Sequence, residues 1–187
     1  MTIVLSSSWG DAMSSNKGKD GEMRVVKVLA SVGQLEEGVD FTRPSTTNTA
    51  DMGADLYLFH PSGFLDKFAN IANGNAPNQL APIEQKSGIK SSQKTRIDVK
   101  ATSNKIHAQT VRKFISDTHK HPDCTGHLLV GGAELSKTAR QEFDEARVSF
   151  GKHGKKLDYI KNDGIINLEK HYHPRILDGG DNEPPSE

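Results

Sequence analysis

The segment Arg96-Ile97-Asp98-Val99-Lys100-Ala101-Thr102 constrains the fold of this chain more than any other. Ile97, Val99 and Ala101 are apolar or small, and Asp98 and Lys100 stand between them. Successive side chains of a strand point to opposite faces, so the pattern predicts a strand with one apolar face and one face carrying a carboxylate beside an ammonium. Upstream, Asp55 opens a second alternating run that ends at His60 and is closed by Pro61-Ser62-Gly63. If the two runs are neighbouring strands, the carboxylates of Asp55 and Asp98 converge. Mg²⁺ and similar hard cations take oxygen ligands. A cation spanning two carboxylates, with a lysine beside its water, is a common way to hydrolyse a phosphodiester.

The remaining elements follow from periodicity and breakers. Residues 21–33 predict a helix with Glu22, Val26 and Leu29 on one face, stopped at Gly33. Val39-Asp40-Phe41 predicts a short first strand, followed by a loop from Pro44 to Thr49. Residues 64–95, broken by Asn-rich turns, Pro77 and Pro82, read as an irregular insertion, with a short strand expected at Ala81 to Lys86. His107 to Thr118 predicts a helix, His127 to Val130 a short buried strand ended by Gly131-Gly132, and Leu135 to Phe150 a longer helix. Leu157 to Ile160 and Gly164 to Leu168 read as a C-terminal hairpin turning at Asn162-Asp163-Gly164. The expected architecture is α/β (α+β): a mixed central sheet flanked by helices. Residues 1–19 are expected to be a flexible arm, 20–170 a single domain, and 171–187 a disordered acidic tail.

Charge narrows the partner class. The formal net charge is zero, with 24 basic and 24 acidic residues. Between Lys86 and Lys113, however, eight basic residues (Lys86, Lys90, Lys94, Arg96, Lys100, Lys105, Arg112 and Lys113) face a single acid, Asp98. A basic surface around a carboxylate site is what a phosphate backbone requires, although a lysine-rich solvated surface has the same composition. No run of about 18 apolar residues is present, which argues against a membrane span. The opening Met1-Thr2-Ile3-Val4-Leu5 lacks the basic and apolar regions of a secretory signal. A single cysteine, Cys124, allows no internal disulfide and fits a cytoplasmic location.

In order and spacing the motifs resemble the PD-(D/E)xK, or restriction-endonuclease-like, superfamily, and within it the Mrr-like restriction endonucleases. The stretch from Gly18-Lys19-Asp20-Gly21-Glu22 through Leu29 to Gly33 is similar to that family's first helix. Gly53-Ala54-Asp55 matches its Gly-x-Asp motif. His127-Leu128-Leu129-Val130-Gly131-Gly132, running on into Ala139, is similar to the apolar strand and helix that end its core. The likeness covers roughly residues 18–150. It implies a restriction-endonuclease-like core and a Mg²⁺- or Mn²⁺-dependent endonuclease acting on DNA. It further implies Asp55 and Asp98 as metal ligands with help from the Val99 carbonyl, Lys100 as the group that orients or activates water, Glu22 as an assistant, and Gln109 as the polar residue on the following helix. Lys86, Lys90, Lys94, Arg96, Lys105, Arg112 and Lys113 would contact the nucleic acid. Cutting both strands calls for two sites, hence a homodimer. The sequence departs from the family in using Asp98 where Glu is frequent, and in the long connection between Asp55 and Asp98.

Other readings stay open at this stage. Glu22 is equally a first-turn glutamate favoured by the helix dipole. Asp55 is equally a turn residue, with Asp51 an alternative ligand, and Asp98 with Lys100 is equally a solvated pair. Pro82-Ile83-Glu84-Gln85-Lys86 offers a rival Glu-x-Lys pair. His119, His121, Cys124 and His127 are zinc-ligand types, yet Pro122-Asp123 suits a turn and the segment is expected to be a helix-to-strand loop. His171 and His173 are expected at the surface. A structure-selective nuclease of the junction or transposon-end kind fits the same residues, and so does a non-catalytic nucleic-acid-binding module.

Overall fold

The computed structural model describes residues 17–44, 54–75 and 92–173. Its elements run α1 (Lys17–Leu35), β1 (Asp40–Thr42), β2 (Leu56–His60), α2 (Phe64–Ala72), β3 (Gln93–Lys100), α3 (Ala108–Thr118), β4 (Gly126–Gly131), α4 (Lys137–Lys152), β5 (Lys156–Ile160) and α5 (Asn162–His171). The strands form one open sheet in the order β1-β2-β3-β4-β5. The first three are antiparallel neighbours, whereas β3, β4 and β5 run parallel. The helical crossovers α3 and α4 make those parallel pairs feasible, because a parallel neighbour cannot be reached through a tight turn. The chain is therefore a mixed α/β protein.

Two apolar layers hold the sheet. On one face α1, α2 and α5 bury Val25, Val28, Leu29, Phe64, Phe68, Ile165 and Leu168 against Leu56, Leu58, Ile97, Leu128, Val130 and Ile160. On the other, α3 and α4 bury Val111, Phe114, Ala139 and Phe143 against Leu129 and Leu157. Each fully buried side chain of this size contributes about 1.5–3 kcal/mol of transfer free energy. Strand β4 is buried along its whole length, as a central parallel strand covered on both faces should be.

Two expectations need correction, and a third falls outside the described residues. The segment 64–95 is not wholly irregular: Phe64, Leu65, Phe68, Ile71 and Ala72 fall on one face of α2 and enter the core. The strand expected at Ala81 to Lys86 lies outside the described residues. The C-terminal hairpin is absent, because β5 pairs in parallel with β4 and the chain continues into α5. Asn162-Asp163-Gly164 is the first turn of that helix. Gly164 is there for close packing, since a Cβ on it would lie 2.8 Å from Ile160 Cγ2 and 3.2 Å from the Ala72 carbonyl oxygen. The domain limits shift too. Helix α1 starts at Lys17, inside the expected arm, and Tyr172 at the foot of α5 is buried against Phe68.

Candidate active site

The site forms where the end of β3 meets the start of β2 and the first turns of α1. Leu56 pairs with Ile97 in the antiparallel register, so Asp55, one residue earlier, stands opposite Asp98. Directly opposite residues of an antiparallel pair share a face and lie close together. The backbone ties this corner down: the Asp55 N–H donates to the Ile97 carbonyl at 3.0 Å, and the Val99 N–H donates to Asp55 Oδ2 at 2.6 Å. Asp98 is buried. The Lys100 ammonium donates to its Oδ1, and the Arg96 guanidinium sits 3.4 Å from its Oδ2. The alternation expected for this strand is therefore present, with Ile97 and Val99 in the apolar layer and Asp98 and Lys100 together on the opposite face.

Glu22 reaches the same corner because α1 approaches β3 unusually closely. A Cβ on Gly21 would collide with the Ala101 Cβ and stand 3.0 Å from its Cα, so a larger residue cannot occupy that turn without moving the helix. Glu22 is half-buried and pairs with Arg43 at 3.3 Å. The electrostatics join these groups. Burial pushes the Asp55 carboxyl above its ordinary range. The Val99 N–H draws it back, Asp98 raises it again, Lys100 lowers it, and Glu22 adds a smaller upward push. Asp55 thus feels two neighbouring carboxylates and one ammonium at once.

The other predicted residues are placed differently. Arg96, expected among the nucleic-acid contacts, is fully buried, with its guanidinium against Asp98, the Phe114 carbonyl and the face of the Phe114 ring. The alternation that places Asp98 and Lys100 together also places Arg96 with them, so one further step along the strand would have found it. Gln109 is exposed on the first turn of α3 and no contact joins it to the carboxylates. Thr110, on the same turn, lines a hollow together with Lys100. Lys94 pairs with Asp123, Lys105 with Glu134, and Arg112 in a two-pronged contact with Glu142, so these cations carry their own counter-charges. Lys113 is exposed. The Val99 N–H, rather than its carbonyl, makes the recorded contact to Asp55. Gly53, Asp51, Glu84, Lys86 and Lys90 lie outside the described residues.

The histidine-rich loop is more buried than the sequence suggested. His121, Cys124 and His127 are all buried, and His121 Nδ1 lies 3.0 Å from the Tyr57 hydroxyl. Neither ring nitrogen of His127 has a hydrogen-bond partner. Burial, with Arg96 and Lys155 nearby, drives its pKa down to about 3. Among the described residues, no group of three or more His, Cys, Asp or Glu stands arranged to hold a metal ion. No described helix is long and apolar enough to cross a membrane. No protein-family model, curated protein or solved structure matches the chain.

Proposed function

We propose that this chain is a metal-dependent endonuclease of the restriction-endonuclease-like type, hydrolysing phosphodiester bonds of DNA. The observation that carries the reading is the placement of Asp55 opposite Asp98 at the end of a strand pair, with the Lys100 ammonium on Asp98. The order of elements supports it once β1 and α2 are set aside as additions: helix, Asp-bearing strand, Asp-x-Lys strand, helix, apolar strand, helix is the order in the superfamily that the motifs resemble. Glu22 joins the site from α1, as that resemblance implies.

The donor set fits a hard divalent cation. Its atoms are carboxylate oxygens, and Asp55 resists ionisation because it is buried beside Asp98. A cation shared by the two carboxylates would relieve that repulsion. Asp55 and Asp98 would hold Mg²⁺ or Mn²⁺, with Glu22 as an outer oxygen donor. Bound there, the ion would withdraw charge from the phosphate and from the leaving oxygen. The protein's own groups do the rest. The Val99 N–H fixes one oxygen of Asp55. Arg96 anchors Asp98 from the buried side. With Asp98 turned to a cation, Lys100 would be free to orient the attacking water through its ammonium N–H groups. Water oxygen bonds to phosphorus, the bond to the leaving oxygen breaks, the water's proton passes to solvent, and the leaving oxygen takes a proton from solvent. The described residues carry one such site, so cutting both strands would call for a homodimer.

A non-catalytic nucleic-acid-binding module is the second reading, favoured by one feature: both Asp98 oxygens are already engaged by Lys100 and Arg96. The test is plasmid cleavage with Mg²⁺ or Mn²⁺ by the wild type, Asp98→Ala and Glu84→Ala. Loss of the carboxylate should remove several kcal/mol of transition-state stabilisation, on the order of 10³-fold in rate, while Glu84→Ala cuts normally. Loss in Glu84→Ala alone moves the site to Glu84 and Lys86. A wild type that binds DNA and cuts no nucleic acid is the binding module. Cleavage of branched DNA in preference to linear duplex marks a structure-selective nuclease.

A further inference from the structure

Beside the carboxylates lies a second feature that the proposed chemistry leaves unused. A hollow of about 420 Å³ opens along the connection from β3 to α3, lined by Lys100, Ala101, Thr102, Asn104, Lys105, Ile106, His107 and Thr110. Lys100 is common to it and to the Asp55–Asp98 corner, so whatever fills the hollow touches the site. Its lining contains two ammonium groups, a histidine, two hydroxyls and an amide, and no carboxylate. Two lining residues carry an acid from outside the hollow: Lys100 is bound to Asp98, and Lys105 pairs with Glu134. The Lys105–Glu134 pair is the looser one. Both members are more than half exposed, and such exposed pairs are worth little and give way easily to a stronger anion.

Size and chemistry define the occupant. The volume lies within the range of about 300–1,000 Å³ of small-molecule sites, more than a bare phosphate needs and suited to a phosphorylated sugar with its base. The walls contain no Phe, Tyr or Trp, and base-selective pockets for single strands rely on stacking against such rings. Grip must therefore come through phosphate oxygens and sugar hydroxyls.

We propose that this hollow seats the nucleotide next to the attacked phosphodiester and holds it by phosphate and sugar rather than by its base. The proposal rests on the nuclease reading for the identity of the strand, but not for its test. Heteronuclear NMR titrations of the metal-free wild type would use the four nucleoside 5′-monophosphates, ribose 5-phosphate and unphosphorylated adenosine. Amide shifts should concentrate at residues 100–110. The four monophosphates should bind within about threefold of one another, ribose 5-phosphate nearly as well, and adenosine at least tenfold more weakly. Lys105→Ala combined with Thr110→Val alters an exposed and a half-buried side chain. The double variant should keep its spectrum elsewhere and weaken monophosphate binding at least tenfold. Asp98→Asn should bind monophosphate no more weakly than the wild type, because Lys100 is freed. Equal binding by the double variant, shifts centred elsewhere, or adenosine binding as tightly as its monophosphate overturns the proposal. A wild type that binds monophosphates here and cuts nothing overturns the nuclease reading and leaves the hollow standing.

Discussion

On β3, Ile97 and Val99 point into a mainly apolar layer beneath α1, α2 and α5, whose buried polar residues His60 and Thr95 are hydrogen-bonded to each other at 2.8 Å. Arg96 and Asp98, one residue away in each case, point into a layer that α3 and α4 share with charged and polar groups: Arg96, Asp98, Asp117 and His127 are all buried. The first face is closed mainly by dispersion and burial, and its one polar pair, His60 with Thr95, is matched. The second needs each polar group matched, because an unmatched buried charge costs several kcal/mol. That matching is incomplete, since Arg96 Nε and both nitrogens of His127 lack partners. The contrast suggests a division of labour: one face supplies stability, and the other gives up some stability to hold charges at the site.

Substitutions on the two faces should separate these roles. Arg96→Ala leaves Asp98 with Lys100 alone and opens a hole in the polar layer, so unfolding by denaturant should show a loss of about 3–5 kcal/mol, together with lower cleavage per folded molecule. Leu58→Ala, in the apolar layer, should cost about 2–5 kcal/mol and leave cleavage by the folded fraction unchanged. Cleavage lost in parallel with stability in both variants would erase the distinction.

His127 sharpens the comparison through pH. The unfolded chain protonates this ring near 6.5, whereas the folded ring stays neutral until about 3. Acidification therefore favours the unfolded state through that window, by roughly 2–3 kcal/mol at pH 4.5. His127→Leu should flatten the acid limb of the stability curve relative to the wild type. An unchanged limb would mean that the ring finds a proton-stabilising partner. Asp55 gives the smallest effect and the opposite sign. Its raised proton affinity stabilises the fold at acid pH, and the benefit is lost as pH climbs through the raised value. Asp55→Asn should therefore be more stable than the wild type at neutral pH and indistinguishable from it at strongly acid pH, with cleavage abolished. A variant less stable than the wild type at neutral pH would show that the carboxylate is better compensated than its surroundings indicate.

The strands were legible because period-two alternation is a local property: Asp55 to His60 and Ile97 to Ala101 needed no knowledge of their neighbours. The pairing of Asp55 with Asp98 was legible only as a conditional, since register is set by partners remote in sequence. Helix α2 has a helical stripe at Phe64, Leu65, Phe68 and Ile71, but it is short and adjoins a stretch broken by prolines, whose character was extended over it. The misread hairpin has a different cause. Asn-Asp-Gly is a strong turn signal, and nothing local tells that Gly164 must make room for Ile160 and Ala72. Arg96 was read as a surface cation because it lies in a basic run, whereas its burial depends on Phe114, 18 residues downstream.

The contact between Gly21 and Ala101 carries a consequence of its own. The distance from the first helix to the corner of Asp55 and Asp98 is set there by a missing methyl group, so a single carbon atom added at residue 21 would work as a spacer. It would lift the helix, draw Glu22 away from Asp55 and relax the crowding of negative charge there, without altering any acidic side chain. The tuning of the site thus resides in a residue that has no side chain.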